Sequence, residues 1–264
     1  MTRIEVRGQS LEGRWLGSAT TGPTIVMLHE GLGSLSTWRD FPQKVAEGTG
    51  MRVFAYSRAG YGASPPVLLP RPIDYLHREA LDVLPEVLDA IGFERGVLLG
   101  HSDGASIATI YAGSFQDHRV RGLVLIEPHF FVEEINVAAI RKTAGEYKTS
   151  SLRDKLARHH SDVDNAFEGW RGAWLNPEFA TMNLHSELAH IRVPMLIVKG
   201  EHDPYSTLAQ LQFAQAEAYS PVEGIVIADA GHSPQRDQPE LTLTAITSFI
   251  NRLLEIDQKS AAVA

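Results

Sequence analysis

Short apolar runs recur along the chain, each stopping at a turn rich in glycine or polar residues. Thr24–Leu28 stops at His29-Glu30-Gly31-Leu32-Gly33, and Arg52–Tyr56 at Ser57-Arg58-Ala59-Gly60. Gly96–Leu99 stops at Gly100-His101-Ser102-Asp103-Gly104, and Val120–Ile126 at Glu127-Pro128-His129. Runs this short and this continuously apolar predict strands buried on both faces, as in a parallel sheet. Asp74–Ile91 and Gly104–Phe115 carry helical periodicity and lie between the runs. That alternation predicts βαβ units, hence an α/β fold. Residues 2–8 and 11–17 read as an opening antiparallel hairpin.

The rhythm changes after residue 129. Glu133–Tyr147, Leu152–His160, Asp164–Leu175 and Phe179–His190 read as helices with no strand among them. Two further runs follow, Met195–Val198 and Ile225–Ala228, and then a helix from Pro239 to Ile256. The chain therefore reads as one α/β domain, residues 1–129 and 191–264, interrupted by a helical insertion at 130–190.

Composition narrows the partners. The 264 residues hold 24 Lys and Arg against 32 Asp and Glu, a formal net charge of −8. This acidic balance argues against a nucleic-acid-binding surface and an anionic membrane surface. No apolar run approaches the ~18 residues of a membrane span. Met1–Arg7 has no apolar core like that of a signal peptide, so a cytoplasmic protein is expected. The absence of cysteine removes disulfides, thiolate metal sites and a thiol nucleophile. None of this bears on oligomeric state.

The chemistry concentrates at the ends of the apolar runs. Gly100-His101-Ser102-Asp103-Gly104 fits G-x-S-x-G between a strand and a helix. Such a turn strains the serine and exposes its hydroxyl, and flanking glycines relieve crowding. A serine nucleophile needs a base, and the base an orienting acid. His232 follows the last run beside Gly231 and is the candidate base. Asp203, in Gly200-Glu201-His202-Asp203, is the first candidate acid; Glu127 is the alternative, and Glu201 shares the Asp203 loop. The Glu201–Asp203 cluster lacks the H-E-x-x-H spacing of a zinc protease, so neither metal nor cofactor is expected. The backbone N–H of Asp103 and that of Gly31, or else Leu32, are candidates to hold a tetrahedral oxyanion. His29 is expected to brace the Gly31 loop.

These pieces together resemble the α/β-hydrolase superfamily. The resemblance rests on LHEGLGS (28–34), YSRAGYGASPP (56–66), GHSDGAS (100–106), RVRGLVLIEP (119–128), GEHDPYS (200–206) and AGHSPQRDQPE (230–240). It is closest to small bacterial esterases, lactonases and C–C hydrolases. It implies a mostly parallel central sheet of about eight strands flanked by helices, with a helical cap. It also supports Ser102, Asp203 and His232 as a triad. The implied activity is cofactor-free hydrolysis of a small-molecule acyl substrate: a carboxylic ester, thioester or lactone. The alternatives are a C–C hydrolase of an aromatic ring-cleavage product and a non-catalytic ligand receptor. Serine at the elbow, where dehalogenase relatives have a carboxylate nucleophile, argues against dehalogenation and epoxide hydrolysis.

Two residues depart from that pattern: Glu30, after the loop histidine, and Asp103, after the nucleophile. They are either solvated or internally paired carboxylates, or the walls of an acidic pocket that disfavours anions. Trp170 and Trp174, with Phe167 and Phe179, form cap core or line the substrate pocket. His129 is a possible substrate contact. Asp162 or Asp164 is expected to cap a helix, and His159 and His160 to sit in a helix-end turn.

Overall fold

The computed structural model describes residues 2–263, with side chains described to Glu255. Eight strands form one sheet in the order β1-β2-β4-β3-β5-β6-β7-β8. They are β1 (Thr2–Val6), β2 (Gln9–Leu16), β3 (Thr24–Leu28), β4 (Arg52–Tyr56), β5 (Gly96–His101), β6 (Val120–Ile126), β7 (Met195–Gly200) and β8 (Val222–Ile227). β1 and β2 form the opening hairpin, and β2 lies antiparallel on β4. Every later pairing is parallel.

The central strands are continuous apolar runs because both of their faces are covered. Along β3, Ile25 and Met27 join the core on one side, while Val26 and Leu28 join the other. The same alternation repeats in β5, with Val97 and Leu99 opposite Leu98. Burying one such side chain is worth about 1.5–3 kcal/mol. One face is covered by α1 (Phe41–Thr49), α10 (Pro234–Asp237) and α11 (Pro239–Val263). The other carries α2 (Tyr75–Arg78), α3 (Leu84–Ala90) and α4 (Asp103–Phe115). The helix predicted over Asp74–Ile91 is unbroken but contains a π-helical turn at Glu79–Val83. Pro85 explains it: proline has no N–H to give the preceding turn, so the ladder slips by one residue.

β8 begins three residues earlier than its apolar run. It is an edge strand, and in the stretch Val222–Gly224 that pairs with Met195–Ile197 Val222 is half-buried while Glu223 and Gly224 are exposed. Hydrophobic pattern cannot mark a strand whose side chains face water.

Between β6 and β7 lie α5 (Glu134–Thr149), α6 (Leu152–Leu156), α7 (Val163–Trp174) and α8 (His185–His190), with a 3-10 turn at Pro177–Thr181. This departs from the expected four helices in two places. α6 is shorter than predicted, and Phe179–His190 divides into the 3-10 turn and α8. α9 (Ala209–Glu217) follows β7. Asp162 caps α7, accepting from the Asn165 N–H at 2.9 Å, while Asp164 pairs with Arg153 and Tyr147. His160 ties the segment between β6 and β7 to the loops after β3 and β4: it accepts from the Gly62 N–H at 3.0 Å and donates to the Leu32 carbonyl at 2.9 Å. Asn165 clasps both backbone groups of Val67.

Candidate active site

Ser102 sits where β5 turns into α4, with φ 53° and ψ −117°. A side-chain-bearing residue rarely holds positive φ, and the strain persists only where the surroundings impose it. Here the Ser102 N–H is tied to the Ile126 carbonyl at 2.9 Å, and its own carbonyl takes the N–H groups of Ala105 and Ser106. The flanking glycines are sterically required. A Cβ on Gly100 would meet the Gly104 oxygen at 2.3 Å, and one on Gly104 would meet the Leu28 oxygen at 2.1 Å. The helix can therefore start directly against β3.

Asp203 and His232 come together from the loops after β7 and β8. His232 Nδ1 lies 2.9 Å from Asp203 Oδ1, so its N–H donates there and Nε2 is left for the cavity. Burial lowers the His232 pKa from 6.5, against the opposing pull of Asp203. The ring packs between His129, with centroids 5.6 Å apart, and Tyr205, at 4.7 Å.

Asp203 is held by a network that sequence reasoning missed. Its Oδ1 also accepts the Tyr205 N–H at 2.9 Å. Its Oδ2 accepts the Ser206 hydroxyl at 2.5 Å and the Lys199 ammonium at 3.1 Å. Lys199 is 1% exposed and spends its remaining donors on Glu127 and Ser206. Burial opposes ionisation of Asp203, but His232, Glu127 and Lys199 hold its carboxyl far below the usual range. Glu127, the alternative acid, lies behind Asp203 and accepts from Lys199 and the Gly200 N–H. Burial, reinforced by the negative charge of Asp203, pushes its pKa up, with Lys199 opposing. The carboxylate on His232 Nδ1 is thus that of Asp203.

Two groups of carboxylates and histidine lie close enough to share an ion among the described residues. In the first, Glu127 and Asp203 already bind the Lys199 ammonium, and His232 bonds the other oxygen of Asp203. Glu201, His202 and Asp229 form an exposed group on the surface.

A cavity of about 90 Å³ is lined by Ser102, Asp103, His232, Glu30, Gly31, Leu32, His129, Trp170 and Trp174. Of the sequence-predicted site residues, Asp203 and Glu127 stand behind His232, Phe167 and Phe179 are buried in the core, and Glu201 is exposed; the rest line it. Asn136, Ile140 and Tyr205 were not anticipated. The Gly31 loop turns by a bond from the Gly33 N–H to the Glu30 carbonyl, 3.1 Å, which leaves the Gly31 and Leu32 amides out of the turn. Gly31 is where the Trp170 indole closes down: a Cβ there would meet Trp170 Nε1 at 2.3 Å.

The two departing carboxylates have different fates. Asp103 is fully buried and internally paired. It accepts from Tyr75 Oη at 2.5 Å and from Trp174 Nε1 at 3.2 Å, and lies 3.9 Å from the buried Arg58 guanidinium. Arg58 also donates to the His29 and Glu30 carbonyls, while its backbone N–H donates to His29 Nε2 at 3.1 Å. His29 therefore braces the loop, and the Arg58–Asp103 pair ties that loop to the elbow. Of the two readings offered for Asp103, the internally paired carboxylate is the one found. Glu30 does reach the cavity wall. Burial opposes its charge, but His101, 3.4 Å away, holds its pKa down at about 2.

The chain belongs to the Alpha/beta hydrolase family, which matches residues 25–245. It is similar to 3-oxoadipate enol-lactonase 1 of Acinetobacter baylyi, at 22% identity over 92% of this chain and 95% of that protein. It is also similar to epoxide hydrolase 3 of Xenopus tropicalis, at 23% identity over 86% of this chain and 71% of that protein. Among solved structures, the enol-lactonase of Burkholderia xenovorans superposes with TM-score 0.73 at 20% identity, over 94% of this chain and 99% of that one. No helix among the described residues is long and apolar enough to cross a membrane.

Proposed function

We propose that this protein is a serine hydrolase of a small carboxylic ester, thioester or lactone, with residues 130–190 as its cap. The observation that carries the reading is the strained Ser102 facing the same cavity as a histidine whose far nitrogen is bonded to a buried carboxylate. His232 Nε2 takes the Ser102 proton as the hydroxyl oxygen attacks the acyl carbon. The Asp103 amide, with that of Gly31 or Leu32, stabilises the oxyanion. His232 then protonates the leaving group and activates water to release the acid, while Asp203 stabilises the imidazolium. The serine at the elbow, in place of a carboxylate nucleophile, supports this chemistry over epoxide opening. In Ser102→Ala, turnover of an ester substrate should fall by about 10⁴-fold or more with the melting temperature retained. Unchanged turnover would end this reading.

A further inference from the structure

A second cavity, of about 570 Å³, adjoins the first. The two share Glu30 and Leu32, and Ser233 on the larger one directly follows His232 on the smaller. The larger cleft runs between the core segment Thr37–Lys44, the start of α10, and the inserted α6 with the turn after it. Its charge is opposite to that of the chain. Arg39, Lys44, Lys155, Arg158 and Arg236 line it against two carboxylates, Glu30 and Asp40, in a protein of net charge −8. Lys44 is committed to Asp40 at 3.0 Å, and Arg236 leans on Asp237 at 3.6 Å. Arg39, Lys155 and Arg158 have no carboxylate within ion-pair distance among the described residues. His159, expected only as part of a helix-end turn, stands among them and bonds Ser36 at 2.8 Å. Burial, with the positive charge of Arg39 and Arg158, lowers its pKa, as it would where cations converge.

The two cavities suit different parts of a substrate. The acyl group stays on Ser102 through the covalent intermediate, which fits the small cavity walled by Ile140, Trp170 and Trp174. The leaving group must depart, which fits the larger, adjoining cleft. Glu30, an anion at the junction, repels negative charge from the catalytic side and leaves it favoured among the cations beyond. We infer that the cationic cleft is a leaving-group subsite, and that the substrate couples a small uncharged acyl group to an alcohol or thiol bearing a carboxylate or phosphate. This rests on the serine-hydrolase reading above.

The test compares three acetyl thioesters of similar size by thiol release at low ionic strength. Their thiols are 3-mercaptopropionate (anionic), 2-methoxyethanethiol (neutral) and thiocholine (cationic). kcat/KM should be greatest for the anionic thioester, on the order of tenfold above the neutral one and more above the cationic one. The advantage should shrink as salt is added. An Arg39→Ala/Lys155→Ala/Arg158→Ala variant, checked for an unchanged melting temperature, should bring the anionic substrate down towards the neutral one. A phosphate-ended thiol against the carboxylate one then distinguishes the two anions. Equal kcat/KM for all three thioesters, in a protein that Ser102→Ala inactivates, would overturn the subsite and leave the hydrolase reading standing. No turnover together with no fluorophosphonate labelling of Ser102 would overturn both.

Discussion

Lys199→Met probes the buried network behind the candidate triad. The ammonium is 1% exposed and contacts Glu127, Asp203 and Ser206. Methionine fills much the same volume, so the perturbation is chiefly loss of the charge. Removing one partner of a buried ion pair costs about 3–5 kcal/mol, because the remaining charge has neither water nor counter-ion. Glu127 limits the loss: burial already favours its protonated form, so it can keep a proton and spare Asp203 a facing anion. The lower end, about 3 kcal/mol, is therefore expected, a fall of roughly 6–12 °C in melting temperature for a chain of this size. Adding Glu127→Gln should recover at least ~1 kcal/mol, because the amide can still accept from the Gly200 N–H without carrying charge. Thermal melts at pH 8 of the single and double variants measure both quantities. The positive charge of Lys199 also helps to lower the His232 pKa, so its loss should move the acid limb of kcat/KM to higher pH. A single variant melting within about 2 °C of the parent, or a double variant less stable than the single, would refute the reasoning.

Other outcomes follow from the same geometry. The acid limb of kcat/KM in the parent should lie below pH 6.5, since burial lowers the His232 pKa; a limb above 6.5 would contradict the assignment of His232 as base. Stability should fall as pH drops from 8 towards 5. His29 and His129 are buried with pKa values held well below 6.5, so below that pH the unfolded chain takes up protons the folded one refuses, costing up to ~1.4 kcal/mol per pH unit for each. Glu127, raised by burial, works in the opposite direction but is one group against several histidines. Urea unfolding at pH 5.5 giving the same stability as at pH 8 would contradict this. Gly31→Ala should displace Trp170 and lower kcat/KM by about 10²-fold, as a misplacement near 1 Å can. Trp170→Ala in the same background should restore part of it, and normal activity of Gly31→Ala alone would show that the indole yields freely.

Much of the molecule was legible along the chain. Strands buried on both faces leave continuous apolar runs, so β3 to β7 stand out. The helix-starting Gly100–Gly104 turn is legible because only glycine tolerates backbone at 2.1–2.3 Å from a would-be Cβ. Ser102, Asp203 and His232 each follow such a run, which is why candidates separated by up to 130 residues could be paired before their contact was known. β8 was legible only in its second half, since Val222 is half-buried and Glu223 and Gly224 are exposed.

The partners of the polar side chains were decided by tertiary structure. Lys199 reads as an ordinary lysine at a strand end, yet it is buried because Glu127 and Asp203 arrive from other loops to neutralise it. Along the chain Asp103 could be a paired carboxylate or a pocket wall, and its partners could not be named: Arg58, Tyr75 and Trp174 converge on it from three distant segments. The cationic cleft draws on residues 37–44, 152–159 and 233–239; only 152–159 is basic by itself, and the fold sets Arg39, Lys44 and Arg236 beside it. Hydrophobic burial is a property of each residue and its near neighbours, so sequence pattern records it. Charge compensation depends on which distant groups meet at a few ångströms, and only the fold brings them there.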